Sequence, residues 1–222
     1  MSTDDMPQSE RTRAGSRREQ AEATRELLLR TAERLIAERG LAQVSSRQIV
    51  EAAGQANNSA LAYHVGSRTD LIHAISLSHA EPIARRTWER VERARGSTDP
   101  RDHVASLVLP YIEHVAELGN PSWCARFTAQ IAADPAFAGD ARSDPRLASY
   151  FDEGLEALAA HLPELPEAEA EVRRQATRMA IIHTCADEER AAAESGTPAD
   201  WELIGAALTD AVAGLLLAPR RG

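Results

Sequence analysis

Three capping signatures and three glycine stops cut the first third of this chain into helices of set length, and this punctuation constrains the fold more than any other feature. Ser16 is followed by Glu19, Ser45 by Gln48, and Ser67 by Asp70. In each pair a hydroxyl and a side-chain carbonyl three residues on can satisfy amides that a helix start leaves open. Gly40, Gly54 and Gly66 follow the apolar stretches, where a helix end favours a residue free of the Cβ constraint. Leu28, Ala32, Leu35 and Ile36 recur at helical spacing, so the first helix is expected over 17–39. A short second helix runs through Ile49, Val50, Ala52 and Ala53. Asn57 is placed to cap a third over 58–65, with Leu61 and Val65 on its inner face. A long fourth helix, 70–95, carries Leu71, Ile75 and Ile83 and should kink at Pro82. Met1–Gly15 has no apolar periodicity and reads as a flexible arm bearing Arg11 and Arg13.

The rest stays helical, over 101–118, 122–133, 146–162, 167–194 and 199–217, with Asp134-Pro135, Asp144-Pro145, 162–166 and 195–198 as breakers. Pro110 is expected to bend the fifth helix. No strand-like alternation, P-loop or G-x-G-x-x-G interrupts the pattern. The expected class is all-α with about nine helices. An arm (1–15) leads into a three-helix helix-turn-helix domain (16–66), followed by a larger helical domain (67–222). The longest apolar run, Ala211–Ala218, is far short of a membrane span, and the polar N-terminus does not resemble a secretory signal. Cys124 and Cys185 are far apart and form no CxxC or Cys/His cluster in sequence, so no disulfide, zinc site or other metal is expected, and no cofactor. A reducing cytoplasm is the simplest setting.

The segment 45–65 meets the requirements of a helix-turn-helix. Two short helices must cross steeply, which calls for small residues at the crossing and a glycine in the turn. Ala52, Ala53 and Gly54 provide both. Asn58, Ser59, Ala60, Ala62, Tyr63 and His64 are small or polar residues suited to an outward face, while Ile49, Leu61 and Val65 anchor the inner one.

Gly40, Ser45-x-Arg47-x-Ile49, Ala53-Gly54 and Tyr63-His64-Val65-Gly66-Ser67-Arg68-x-Asp70-Leu71 together resemble the N-terminal domain of TetR-type bacterial transcriptional regulators. The likeness covers about 25–71. Val65 stands where that family has an aromatic, Arg68 where it has Lys, and Ala62 where Tyr is common, and 55–59 is one residue longer than the usual turn. The resemblance implies that Ser45 and Arg47 meet phosphate, that Asn57 opens the recognition helix, and that Asn58, Ser59, Ala60 and Ala62 face bases. It implies that Tyr63 and His64 clamp the DNA backbone and that Arg68 takes a further phosphate. These roles agree with general chemistry: helix N-termini attract anions, phosphate contacts position, and an amide such as that of Asn58 suits adenine.

Only Tyr63 among the aromatics precedes residue 76. The resemblance implies a small-molecule pocket in the C-terminal helices, where Trp88, Tyr111, Trp123 and Phe127 are candidate lining and Arg126, Gln130 and His183 candidate polar groups. Each aromatic reads equally as ordinary core. Val172, Ala176 and Met179 share a stripe on the eighth helix, and Ile204, Leu208, Val212 and Leu215 share one on the ninth. Such helices can pair around a twofold axis as a homodimer interface or can pack inside the subunit. Asp187-Glu188-Glu189 beside His183 reads as a solvated charge run, not a metal site. No catalytic constellation is present, so no enzyme is expected.

The expected function is a homodimeric repressor of a double-stranded DNA operator, released by an unknown effector, with the fourth helix as lever. The alternatives are a helical ligand- or partner-binding protein without DNA binding, and a small all-α enzyme. The net charge of −9 at first argues against a nucleic-acid partner. Its division does not: residues 1–75 hold 10 Arg against 10 acidic groups, while 76–222 hold 15 against 24.

Overall fold

The computed structural model describes residues 8–57, 59–137 and 145–219, with side chains from residue 18 and, after the second break, from 151. Its elements are α1 (Gln8–Arg39), α2 (Ser46–Ala52), α3 (Ala60–His64), α4 (Arg68–Ala94), α5 (Pro100–Leu118), α6 (Cys124–Ala133), α7 (Pro145–Leu158), α8 (Glu167–Ser195) and α9 (Trp201–Leu217). Single 3-10 turns stand at Leu41–Gln43 and Ala159–His161, residues 135–137 are also helical, and no strand occurs among the described residues. The chain forms two units, Met1–Ile75 and Ser76–Gly222, and the division falls within α4.

Several helix starts differ from the expected ones, and the shifts at α1 and α3 change the reading. α1 begins at Gln8, so residues 8–15 of the expected arm are helical and Ser16 lies inside the helix, not at its cap. Gln, Glu, Arg and Ala upstream of Ser16 are good helix formers and no proline interrupts them, so the ladder extends through the signature. Residues 1–7 lie outside the described part, as do the side chains of Arg11 and Arg13. α3 is shorter than expected, five residues long, because Asn57 organises a turn ahead of it. The other two signatures cap as written: Ser45 and Gln48 form a reciprocal box, and Ser67 and Asp70 form another. Gly66 sits between α3 and that second box at φ +116°, and a Cβ there would lie 2.6 Å from Asp70 Oδ2. The tight entry into α4 therefore requires a glycine.

In the first unit α1 packs against α2 and α3. Leu28, Leu35 and Ile36 of α1, Ile49 and Val50 of α2, and Leu61 of α3 are all buried, as the helical spacing predicts. Val65, expected in the core, is only half-buried.

In the second unit α5 is central. It is capped by Asp99, whose side chain accepts from Arg101 N at 2.9 Å, with Pro100 at its first position. It is buried on nearly every face, and α7, α8 and α9 all pack on it. At Gly154 a Cβ would come 3.1 Å from the Leu107 backbone, so the missing side chain is what lets α7 approach α5 closely. α8 packs on α6 and on α9. α4 and α5 run on as helices through Pro82 and Pro110. No helix is long and apolar enough to cross a membrane among the described residues.

Candidate functional site

The surface that can meet DNA is built from the cap of α2, the turn, and α3. Ser45 Oγ accepts from Gln48 N at 3.3 Å, and Gln48 Oε1 accepts from Ser45 N at 2.8 Å and Ser45 Oγ at 2.9 Å. This box fixes the first turn of α2 and leaves Arg47 outside it, with 75% of its side chain exposed. Arg47 Nε donates to Glu51 Oε1 at 2.7 Å, one helical turn on. Between two solvated side chains such a pair is weak and easily exchanged for phosphate.

Asn57 Oδ1 accepts from Ser59 N at 3.0 Å and Ser59 Oγ at 2.6 Å, and Asn57 O accepts from Ala60 N at 2.9 Å. That turn aims α3 and buries Leu61 beneath it. On the outer side Ser59, Ala62 and Tyr63 are exposed and His64 is half-buried. Tyr63 is 83% exposed, and its ring meets that of His64 edge-on at 4.9 Å between centroids. An aromatic left this open beside a second ring contributes little to a core and offers a phenol and an imidazole to a partner.

Two expected contacts are corrected. Ala60 is buried, not outward, because α3 begins two residues later than its spacing suggests and Ala60 faces inward with Leu61. Arg68 is not a spare cation: its guanidinium donates to Val44 O and, at 2.6 Å, to Leu41 O. It bridges the start of α4 to the segment joining α1 and α2, which needs a planar fork with several donors. Asn58 lies outside the described residues.

In the second unit Leu107, Tyr111, Phe151, Arg178, Ile181 and Ile182 line an apolar cavity of about 10 Å³, near the room for one water. The Arg178 guanidinium lies over the Phe151 ring, 4.5 Å from its centroid. Of the expected pocket residues only Tyr111 lines it. Trp88 is 56% exposed, His183 is exposed, Phe127 is core, and Trp123 and Gln130 are half-buried elsewhere.

Arg126 is also corrected, because it belongs to a closed buried network. Glu189 is 2% exposed, so the acidic run at 187–189 is not simply solvated. Its Oε2 accepts from Arg126 Nε at 3.1 Å and Arg126 N at 3.0 Å, and its Oε1 accepts from Ser122 Oγ at 2.7 Å and Ala125 N at 3.2 Å. The Glu189 carboxylate thereby caps α6 from α8, and Arg126 is held in the interior by Glu189 and Ser122 and does not line the cavity around Tyr111. No short-range pattern marks a partner 63 positions away.

Cys124, which has no Cys or His partner at metal-ligand spacing in the sequence, lies beside His79 and His114 in space. On the expected pairing stripes Leu208 and Val212 are buried within the unit, because they are the face of α9 turned to its neighbours in the unit. Val172 is 67% exposed, while Ala176, Met179, Ile204 and Leu215 are half-buried. Leu203, which the stripes did not include, is exposed on α9.

A helix-turn-helix followed by a second unit that is helical among the described residues is an arrangement suited to a DNA-binding transcription regulator. The comparisons agree. Residues 28–75 match the family model described as bacterial regulatory proteins, tetR family, and residues 105–214 match that for a tetracyclin repressor-like C-terminal domain. The chain belongs to the TetR family of transcription regulators, a family of DNA-binding regulators and not of enzymes. Its fold is similar to that of a TetR family transcription regulator from Marinobacter aquaeolei VT8, at TM-score 0.59 and 14% identity, over 90% of this chain and 98% of that one. It is also similar to PfmR, a TetR family transcriptional regulator from Thermus thermophilus, at TM-score 0.53 and 18% identity, over 89% and 97%. No curated protein sequence matches the chain.

Proposed function

We propose that the chain is a homodimeric repressor, acting in the cytoplasm, that reads a pseudo-palindromic operator through residues 16–66. A small-molecule effector bound within residues 67–222 releases it. The observation that carries this reading is the outer surface of α3, where Ser59 and Ala62 are open and the Tyr63 ring stands almost wholly in solvent beside His64. Small side chains let a helix approach base edges, and Tyr63, His64, Ser45 and Arg47 flank it at positions suited to phosphate. Asn57 sets the angle of entry.

Pairing through α8 and α9 is supported by the apolar groups those helices leave open, Val172 and Leu203, continued by the half-buried Met179 and Ile204. Two helices from each copy can form a four-helix interface. The effector cavity suits a mostly apolar molecule with one acceptor for Arg178, and it must widen to admit one. Widening separates an effector-bound state from the free state, and an effector shifts the two by its differential affinity.

Footprinting of the full chain on the DNA upstream of its own coding region tests the reading. Two protected half-sites, centred about 10 base pairs or a multiple apart, are expected for a twofold dimer. No protection, or one isolated half-site, overturns it.

A further inference from the structure

His79 on α4, His114 on α5 and Cys124 at the first position of α6 converge inside the second unit. One ligand atom from each lies within 4.8 Å of the other two. His79 Nδ1 and His114 Nε2 are 2.8 Å apart, a hydrogen bond in which one imidazole donates and the other accepts. Cys124 and His114 are buried, and His79 is half-buried, the member of the cluster with solvent contact.

We propose that His79, His114 and Cys124 form a binding site for one thiophilic d10 cation, Zn2+ or Cu+. Two imidazole nitrogens and a thiolate are a borderline-to-soft donor set that suits these ions and not Mg2+ or Ca2+. Metal–ligand bonds of 2.0–2.3 Å place the donor atoms roughly 3.3–3.7 Å from one another. The two nitrogens need to part by about half an ångström and the sulfur to close by about one at most, which side-chain rotation supplies. The donor ring moves its proton to its other nitrogen, so both imidazoles stay neutral and turn a lone pair toward the ion that separates them.

A neutral imidazole carries a lone pair on one ring nitrogen, and each ring of the hydrogen-bonded pair can present it to an ion by its choice of tautomer. On binding, the Cys124 S–H bond breaks, an S–metal bond forms, and the proton leaves to solvent. Cu+ with one thiolate is neutral overall and complete with three ligands, whereas Zn2+ keeps one positive charge and takes a water as its fourth ligand. Either ion cross-links α4, α5 and α6. The site shares no residue with the cavity around Tyr111 or with the α3 surface, so it stands whether or not those bind an effector and DNA. Cys185, also buried, is not part of this cluster.

The test uses the reduced full-length chain, titrated with Zn2+ against a chromophoric chelator and, without oxygen, with Cu+ against a Cu+-selective chelator. One ion per chain is expected in at least one arm, and the arm with the tighter binding identifies the ion. His79→Gln and Cys124→Ser should each weaken that binding at least about a hundredfold, more than the loss of an outer partner does, while Cys185→Ser leaves it unchanged. Because Cys124 is buried, the half-buried His79→Gln, checked for native helix content by circular dichroism, carries the test if Cys124→Ser does not fold. Co2+ supplies a second readout: a thiolate-to-metal charge-transfer band in the wild type that His79→Gln weakens. Failure of the wild type to take up either ion, or equal uptake by wild type and His79→Gln, overturns the site.

Discussion

The Glu189 carboxylate on α8 and the Arg126 guanidinium on α6 meet at 3.1 Å in the interior of the second unit, and the same carboxylate accepts the backbone amides of Ala125 and Arg126. Arg126 Nη2 returns to Ser122 O at 2.8 Å, so the network closes on itself. A buried pair adds little net stability over a hydrophobic pair, but removing one member strands the other. Glu189→Ala should therefore destabilise the fold by about 3–5 kcal/mol. The double replacement Arg126→Met/Glu189→Met should cost much less than the single one. Urea denaturation of the three proteins checks the order, and a single variant as stable as the wild type contradicts it.

Arg68 ties α4 to the carbonyls of Leu41 and Val44. Arg68→Ala should lower the stability of the first unit by about 1–3 kcal/mol, since hydrogen bonds from a charged group exceed neutral ones. Arg68→Lys should rescue little, because a point charge does not span two carbonyls as a fork does. Thermal melts followed by circular dichroism are the check. A melt unchanged in Arg68→Ala returns Arg68 to the set of spare cations.

At the start of α4, two hydrogen bonds from Ser67, first side chain and then backbone, hold the Asp70 carboxyl below its usual value of 3.8. The sign follows from linkage: a folded-state value below the unfolded one gives stability that is present above the unfolded value and lost as pH falls through the folded value. The wild type should lose stability on acidification below about pH 4, and Asp70→Asn should flatten that part of the profile. Denaturation midpoints measured from neutral to acid pH for both proteins decide the point. Gly66→Ala should destabilise at every pH, because its φ is +116° and the added Cβ meets Asp70 Oδ2.

Tyr63 offers a separation of function from stability. Its side chain is almost wholly exposed, so Tyr63→Ala should move stability by no more than about 0.5 kcal/mol, as for other surface changes. A large drop in melting temperature for Tyr63→Ala would mean that the ring is structural.

The local rules read well here because they act over three or four residues. The boxes at Ser45/Gln48 and Ser67/Asp70 and the glycine stops are complete within a short window, and the structure has them where the sequence has them. The same rule misplaces Ser16, since a window that short does not register the helix formers upstream. Face assignments are less secure. Shortening α3 by two residues at its start turns Ala60 inward, and broad apolar stripes leave open which face of α9 packs inside the unit. Long-range pairs are invisible: nothing near Arg126 signals Glu189, and nothing near Cys124 signals His79 and His114. Those contacts come from how α4, α5, α6 and α8 pack, which no spacing rule encodes.

The central claim, DNA recognition by the α3 surface, is tested most directly by fluorescence anisotropy of a labelled duplex from the chain's own upstream region, titrated with wild type and Tyr63→Ala at low and moderate salt. Saturable wild-type binding that weakens steeply with salt is expected, as phosphate contacts require. Tyr63→Ala should lose at least about tenfold in affinity, in line with one stacked or phosphate-bound side chain worth more than about 1.4 kcal/mol. Equal affinity of the two proteins, or no wild-type binding at either salt concentration, contradicts the claim.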